Sequence, residues 1–455
     1  MRTKPPLTVC LVSLGCPKNL VDSEKMLAAL AEAGCVVGAP MDQADVVVVN
    51  TCGFLSAART ESLGVIAEAV ACKKRGRIRR VVVAGCLASR DAEKLYRMVP
   101  GIDAVVGVDN RGDIVQAVTG KGRKTRLDGK PLSYAARPVR GVSCDSGDAG
   151  RFRLTPRHTA YLRIAEGCSQ KCTFCTIPAI RGPLRSKPPA MVLNEARELI
   201  ADGAVELNVI GQDTTSYGRD LGGASLSRLL RALNRLDGAR WIRLMYAYPL
   251  RFTDAVIGAM ADSERVVKYV DLPIQHVSNR VLRRMGRRVG RRSTEQLLEK
   301  LRRRIPGVTI RTTFIVGLPG ERERDFAELL AFVKDFRFDA LGVFEFSPEE
   351  GTPAVRLDEP VPPDVSRMRA EQVMLAQQEI AFAANRRRIG RRITVLVDGT
   401  DAQGRCVARH AGQAPDIDSV CYLRSPHPAG SFVRARITDC EGYDLIADCG
   451  VRNAD

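Results

Sequence analysis

Three short apolar runs limit the fold of the first part of the chain more than any other feature. Residues 7–14 (LTVCLVSL), 45–49 (DVVVV) and 80–84 (RVVVA) are rich in β-branched residues, and Cys16, Cys52 and Cys86 stand just beyond them. A fourth run, 104–108 (AVVGV), follows, and the stretches 22–33, 60–71 and 90–98 between the runs carry apolar residues at helical spacing. Alternation of this kind predicts a parallel sheet covered by helices. Strands of such a sheet end at one edge, so the loops bearing the three cysteines face one crevice. Gly15, Gly53 and Gly85 flank them, leaving room for the backbone to approach a bulky inorganic group. Three thiols there suit a metal cluster, and buried structural cysteines are the alternative.

The segment from about 120 to 153 loses the pattern and fills with Gly, Lys, Arg and Ser, as a linker does. A second alternation begins at 159, with candidate strands 160–165, 205–210, 241–247, 267–272, 309–316 and 340–346. Helical stretches near 191–202, 224–236, 294–304 and 322–335 separate most of them. Six such units fit a partial or complete βα barrel better than an open sheet. A helical stretch at 364–388 leads to short strands within 393–399, 406–412, 419–424, 431–440 and 443–449, which predict a small antiparallel barrel. The expected class is α/β, with domains at 6–120, 154–384 and 385–455 and a linker at 121–153.

Fourteen cysteines in 455 residues do not read as a disulfide framework, which staples small secreted domains without a sizeable core. Hydrophobic residues make up 45% and charged residues 27%, a balance that excludes disorder as the main state. No apolar run approaches the roughly 18 residues that cross a bilayer. Arg2 and Lys4 ahead of a stretch ending Leu14-Gly15-Cys16 look superficially like a lipoprotein leader. That stretch is short and Pro5-Pro6 sits against it, so a first buried strand and a cytoplasmic location are expected.

The most compact cysteine group is Cys168-Ser-Gln-Lys-Cys172-Thr-Phe-Cys175, directly after candidate strand 160–165, at the carboxyl end where barrel active sites lie. Three thiolates within eight residues can converge on one centre, and soft sulfur suits zinc or an iron–sulfur cluster. Zinc normally takes a fourth protein ligand from a second pair at short spacing, and no such pair follows. Three ligands match a four-iron cluster with one iron open. Of the other eight, Cys10 lies inside a strand, and Cys35, Cys72 and Cys144 lack ligand spacing. Cys406, Cys421, Cys440 and Cys449 form no Cys-x-x-Cys pair, so buried packing residues describe them better than a zinc site.

A Cys-x3-Cys-x-aromatic-Cys motif opening a βα barrel resembles that of the radical S-adenosylmethionine (SAM) enzymes. With the three-cysteine domain before it and the small β-barrel after it, the whole chain resembles the methylthiotransferases. That family joins an N-terminal methylthiotransferase domain, a radical SAM partial (βα) barrel and a TRAM domain. The match is closest to its RimO branch, at VSLGCPKNLVDSE (12–24), NTCGF (50–54), RIAEGCSQKCTFCTIPAIRGPLRS (163–186), GQDTTSYG (211–218), DLPIQHVS (271–278), FIVGLPGE (314–321) and SPEEGTPA (347–354).

The resemblance implies a transferase that inserts a methylthio group at the β-carbon of an aspartate in small-subunit ribosomal protein S-twelve. It implies two 4Fe-4S clusters: a radical SAM cluster on Cys168, Cys172 and Cys175, and an auxiliary one on Cys16, Cys52 and Cys86 that carries the sulfur. SAM would be both radical source and methyl donor, with an electron donor and a sulfur donor as further partners. The sister MiaB branch modifies an adenosine of tRNA and typically has Met-Asn where this chain has Pro17-Lys18-Asn19. A non-catalytic iron–sulfur protein that binds RNA or carries electrons is the alternative of another class.

Phe174 is placed to pack near adenine, with simple packing as its alternative. Gln212, Asp213, Gln275 and His276, at strand ends, are candidates for SAM or substrate contact, against hydrogen bonds that only order their loops. Gly317, Pro319 and Gly320 would let the backbone approach SAM, or form a plain turn.

Seventy basic against 52 acidic residues give a net charge of +18. Residues 1–150 hold 22 basic and 15 acidic residues, 151–382 hold 37 and 28, and 383–455 hold 11 and 9. The last part, where a tRNA-gripping module should concentrate basicity, is nearly balanced, which favours a protein substrate. The runs Lys73 to Arg80 and Arg283 to Arg292 read as solvated faces, with ribosomal RNA contact as the functional alternative. No membrane partner is expected.

Overall fold

In the computed structural model, which describes residues 5–120, 132–134 and 147–450, the chain divides into two compact units. One comprises Met1–Leu154, Ala165–Gln170 and Cys175–Lys187; the other comprises Thr155–Ile164, Lys171–Phe174 and Pro188–Asp455.

The first unit is built on a six-stranded parallel sheet in the order Val36–Val37, Thr8–Ser13, Val46–Thr51, Arg80–Gly85, Ala104–Val106, Leu132–Tyr134. Its central strands are valine-rich because both faces are covered. Val47, Val49, Val81 and Val83 pack with Ile66, Leu87 and Leu95 on one side. Val46, Val48 and Val82 pack with Met26, Leu30 and Ile114 on the other. The strand order reverses between Thr8–Ser13 and Val46–Thr51, and crevices open at such switch points beyond the carboxyl ends.

Helices Pro17–Glu32, Ser56–Lys74 and Cys86–Met98 begin earlier than apolar spacing alone predicts. As a result Cys16 is an N-cap residue and Cys86 the first residue of its helix. Leu132–Tyr134 is a short strand inside the stretch read as a linker, too short for periodicity to show. Residues 121–131 and 135–146, including Cys144, lie outside the described residues.

The second unit contains a parallel sheet ordered Ala340–Glu345, Thr309–Val316, Val266–Asp271, Trp241–Leu244, Glu206–Ile210, Thr159–Arg163. It is a partial barrel: among the described residues its two end strands do not pair. Helices Pro189–Ala201, Leu226–Asn234, Asp254–Asp262, Arg291–Arg304 and Glu323–Phe336 fall between strands. The helix Asp254–Asp262 was not predicted; it is short and carries Gly258.

Helix Pro363–Arg386 leads into a closed barrel ordered Arg392–Thr400, Cys406–His410, Cys421–Leu423, Asp444–Asp448, Phe432–Glu441. Its pairs are antiparallel except Cys421–Leu423 with Asp444–Asp448, which run parallel. A closed ring with an odd number of strands cannot alternate direction all the way round. Cys406 and Cys421 fill its core beside Val395, Val397 and Ile437, with Cys440 and Cys449 packed against it.

This barrel docks onto the partial barrel through buried charge. Glu206, 0% exposed, accepts from Arg243 at 3.0 Å and from Arg409 at 2.8 Å. Arg409 also binds Asp398 at 2.7 Å, and His158 Nε2 lies 3.0 Å from the same carboxylate. Tyr161 donates to Asp416 at 2.9 Å and Tyr269 to Asp418 at 2.7 Å. No helix among the described residues is long and apolar enough to cross a membrane.

Candidate functional site

Cys16, Cys52 and Cys86 occupy the carboxyl edge of the first sheet, and the packing there shows how closely their loops approach. A Cβ on Gly15 would lie 2.9 Å from Cys52 Cβ and 3.4 Å from its Sγ. A Cβ on Gly53 would lie 2.8 Å from the carbonyl carbon of Cys86. Gly85, at φ +92, has no room either, since its Cβ would fall 2.2 Å from Asn50 Oδ1. The three glycines let three strand ends close around one point.

Asn19 ties the edge together. Its Nδ2 donates to Leu14 O at 2.6 Å and Thr51 O at 3.3 Å, while Asn50 Nδ2 donates to Asn19 O at 2.8 Å. Burial works to raise the Cys16 thiol pKa, but Lys18, Arg181 and backbone N–H groups outweigh it and hold the thiol below its usual range. Burial raises Cys52 and pushes Cys86 up to about 12 even though Arg181 opposes the shift. An anion is therefore favoured first at Cys16, where the N-terminus of a helix adds its dipole.

Among the described residues no three His, Cys, Asp or Glu side chains are grouped as a single metal ion needs. An all-sulfur triplet of this kind matches an iron–sulfur cluster, in which each cysteine binds a different iron, better than zinc. The backbone room left by the glycines fits so large a group.

The compact loop after strand Thr159–Arg163 is distributed between the units, with Cys168 and Cys175 in the first and Cys172 in the second. All three cysteines are partly exposed. Gly167, at φ +74, allows a backbone approach in which a Cβ would lie 2.1 Å from Pro183 O. Beside it the Cys168 N–H donates to Gly182 O at 3.1 Å, and the Gln170 N–H points at Cys168 Sγ at 3.4 Å. In the second unit Thr173 N–H donates to Met285 O and Ala354 N–H to Thr173 O, both at 2.9 Å. Phe174 packs against Val281, Met285, Leu318 and Ala354.

The other expected contacts lie at the carboxyl edge of the second sheet, and they differ. Asp213 serves its own loop: it accepts from Thr215 Oγ1 at 2.7 Å and from Ser216 Oγ at 2.6 Å. Gly317, at φ +78, is required by packing, because a Cβ would lie 2.1 Å from Ser366 Oγ. Gly320 likewise accommodates Arg284. Gln212 is half-buried just past strand Glu206–Ile210.

Gln275 and His276 stand out. Gln275 has φ +75, unusual for a residue with a side chain, and its Oε1 is buried without a hydrogen-bond partner among the described residues. His276 is wholly buried; its Nδ1 accepts from Ser278 N–H at 3.0 Å, and its Nε2 has no partner among the described residues. Burial drives its pKa down to about 3, so the ring is neutral. Strain and unmet hydrogen-bonding capacity together are signs of a ligand-facing position.

Several residues of the site gave no sequence signal. Tyr246, with φ +58, follows strand Trp241–Leu244. The run Arg283 to Arg292 is only partly a solvated face. Arg287 is buried, lies 4.2 Å over the Tyr248 ring and donates to Pro273 O at 2.6 Å. Arg284 donates to Pro319 O at 2.9 Å. These arginines brace the very loops that carry Gln275 and Gly317, while Arg283, Arg288 and Arg292 are exposed. In the first unit Lys73 of the other run pairs with Asp103 at 2.5 Å and Arg79 with Asp45 at 3.1 Å.

Comparison with known proteins agrees with this architecture part by part. Models of the uncharacterized protein family UPF0004, the radical SAM superfamily and the TRAM domain match residues 8–107, 162–333 and 389–449. A radical SAM methyltransferase structure, TsrM from Kitasatospora setae with cobalamin and a [4Fe-4S] cluster bound, has the same fold. It is 18% identical, with a TM-score of 0.57 over 77% of each chain. Three such modules in this order define a radical SAM methylthiotransferase.

Full-length relatives narrow the class. The ribosomal protein uS12 methylthiotransferase RimO of Anaeromyxobacter sp. (strain K) is 46% identical over 445 residues, 96% of this chain and 92% of that protein. RimO of Geobacter sulfurreducens is 44% identical over 97% of this chain and 98% of its own. The chain belongs to the RimO family of ribosomal protein uS12 methylthiotransferases.

Proposed function

We infer that this protein transfers a methylthio group to ribosomal protein uS12, at the β-carbon of an aspartate. The observation that carries the reading is the meeting of three strand-end cysteines over three glycines that leave room for a cluster. We assign Cys16, Cys52 and Cys86 to an auxiliary 4Fe-4S cluster and Cys168, Cys172 and Cys175 to a radical SAM cluster, with 6–120, 154–384 and 385–455 as the working domains. When bound, these groups supply reductive cleavage of SAM, hydrogen abstraction from an unactivated carbon, and the sulfur to be transferred.

The chain's own residues position and enclose. Asn19 and Asn50 hold the strand ends that present the first triplet. Thr173 and Phe174 fix the second loop against the 281–285 segment and Ala354. Gln275, with its unmet Oε1, and the neutral His276 are the groups we assign to SAM or substrate contact, ahead of Gln212, Asp213 and Gly317. A buried neutral imidazole offers a hydrogen bond without adding charge beside a sulfonium. An aliphatic C–H bond has no useful acidity, so no general base is needed at this edge.

Ribosomal RNA contact is part of the reading. Three acidic residues of the last part, Asp398, Asp416 and Asp418, pair with His158, Tyr161 and Tyr269 of the partial barrel, so its near-neutral sum understates its outward basicity. Arg392 and Arg436 are exposed and directly opposite on paired strands, an arrangement that repels unless an anion lies over it. That supports a substrate met within or beside the ribosomal subunit, in the cytoplasm, with an external electron donor and sulfur donor. Mass spectrometry of uS12 and of tRNA from a deletion strain tests the substrate. Loss of the methylthio mass from uS12 is expected; loss from tRNA alone contradicts the reading.

A further inference from the structure

The segment that follows the compact cysteine group ends in the short helix Ile177–Arg181, whose last side chain reaches the other triplet. Arg181 is 1% exposed. Its Nε and Nη2 donate to Cys86 Sγ at 3.3 and 3.1 Å. Nη2 also meets Asp22 Oδ2 at 2.9 Å, and Nη1 meets Glu166 Oε1 at 3.0 Å. Two buried carboxylates neutralise the guanidinium, as a buried charge requires. Neutralisation alone does not explain why two of its N–H groups converge on sulfur.

We propose that Arg181 is a positioning residue for the auxiliary cluster, fixing Cys86 Sγ by a two-donor N–H···S fork and raising that cluster's reduction potential. The inference rests on the ligand assignment above. Hydrogen bonds to ligand sulfurs are among the levers that set iron–sulfur potentials, and partners of the ligands orient them. Asp22, from helix Pro17–Glu32, and Glu166, two residues before Cys168, aim the fork. The first site is thus completed by the polypeptide that carries the second triplet. Neither Lys nor Gln presents the same planar fork.

The test uses the full chain with Cys168, Cys172 and Cys175 all changed to Ala, so that one cluster remains, reconstituted anaerobically with iron and sulfide. About four irons per chain are expected; no bound iron in this parent overturns the ligand assignment itself. In that background Arg181→Gln is expected to lower the midpoint in an EPR-monitored redox titration, or to lose iron from a chain whose circular dichroism is unchanged. Arg111→Gln is the control, because Arg111 also pairs with Asp22 but, among the described residues, is not one of the donors to Cys86 Sγ; its midpoint should stay at the parent value. A full iron content and unchanged midpoint in Arg181→Gln overturns the proposal while leaving the ligand assignment intact. Should Arg181→Gln fail to fold, Arg181→Lys decides, since it keeps the charge: a lowered midpoint supports the fork and an unchanged one overturns it.

Discussion

The two cysteine triplets, which we assign to similar chemistry, belong to opposite kinds of structure. Cys168, Cys172 and Cys175 belong to one loop, and sequence spacing alone brings them near each other. Cys16, Cys52 and Cys86 come from three strand ends and approach only because the sheet is parallel and because glycines remove every Cβ between them. The local triplet is legible as a motif. The distributed one depends on the fold, so it should be the more sensitive to changes in packing.

The largest expected effect separates the two by function. Cys168→Ala should abolish reductive cleavage of SAM, whereas Cys16→Ala should retain cleavage, lose about half of the roughly eight irons of two four-iron clusters, and leave uS12 unmodified. Product analysis for 5′-deoxyadenosine checks this, and equal loss of cleavage in both variants would break the division of labour.

A second change tests whether damage away from both triplets spares them. Arg409→Met leaves Glu206, 0% exposed, without one of its two arginines, and breaking such a pair costs about 3–5 kcal/mol. Chemical denaturation should show that loss while iron per folded chain stays constant. Loss of iron in step with stability would mean that the barrel interface and the cluster sites are not separable.

Gly85→Ala probes the distributed site directly. The left-handed backbone at φ +92 costs about 1–3 kcal/mol for a residue with a side chain, and the new methyl collides with Asn50. Iron analysis should show loss from the auxiliary site only, with SAM cleavage kept. A variant with full iron and unaltered stability would contradict the packing account.

Near neutral pH the smallest effect comes from two buried imidazoles. Burial pushes His276 and His410 down to about 3, against an ordinary value near 6.5. The unfolded chain binds these protons first, so their contribution is complete above about pH 6.5 and falls as pH drops toward 3, by up to roughly 1.4 kcal/mol per unit for each. Denaturation midpoints at several pH values should slope accordingly, and His276→Gln should remove one share of the slope. Because Glu321, raised to about 7 by burial, slopes the other way, the difference between the unaltered chain and His276→Gln decides, and an identical slope in both would show that this ring is not held neutral.

Much of this was readable in the sequence, for identifiable reasons. Strand–helix alternation, the glycines beside cysteines and the compact cysteine spacing are local codes, and the first two survive into the structure. Other features are not local. Arg181 looks like any loop residue until Asp22, Glu166 and Cys86 are brought around it. Asp213 sits at the right strand end, yet its carboxylate is taken by Thr215 and Ser216. The nearly balanced charge of residues 383–455 is a sum over groups that face the core and groups that face solvent, and composition cannot tell them apart. The strained backbone at Gln275 and Tyr246 is likewise a property of the fold, with no signature in residue type.

The most direct test of the central claim is a single anaerobic assay. The reconstituted full chain, SAM, a reductant, a sulfide source and uS12 presented in the small ribosomal subunit are combined, and uS12 is weighed by mass spectrometry beside the Cys16→Ala and Cys168→Ala variants. The account predicts a gain of one methylthio group on an aspartate of uS12 with the unaltered chain and none with either variant. A modified uS12 produced by the Cys16→Ala protein would contradict it.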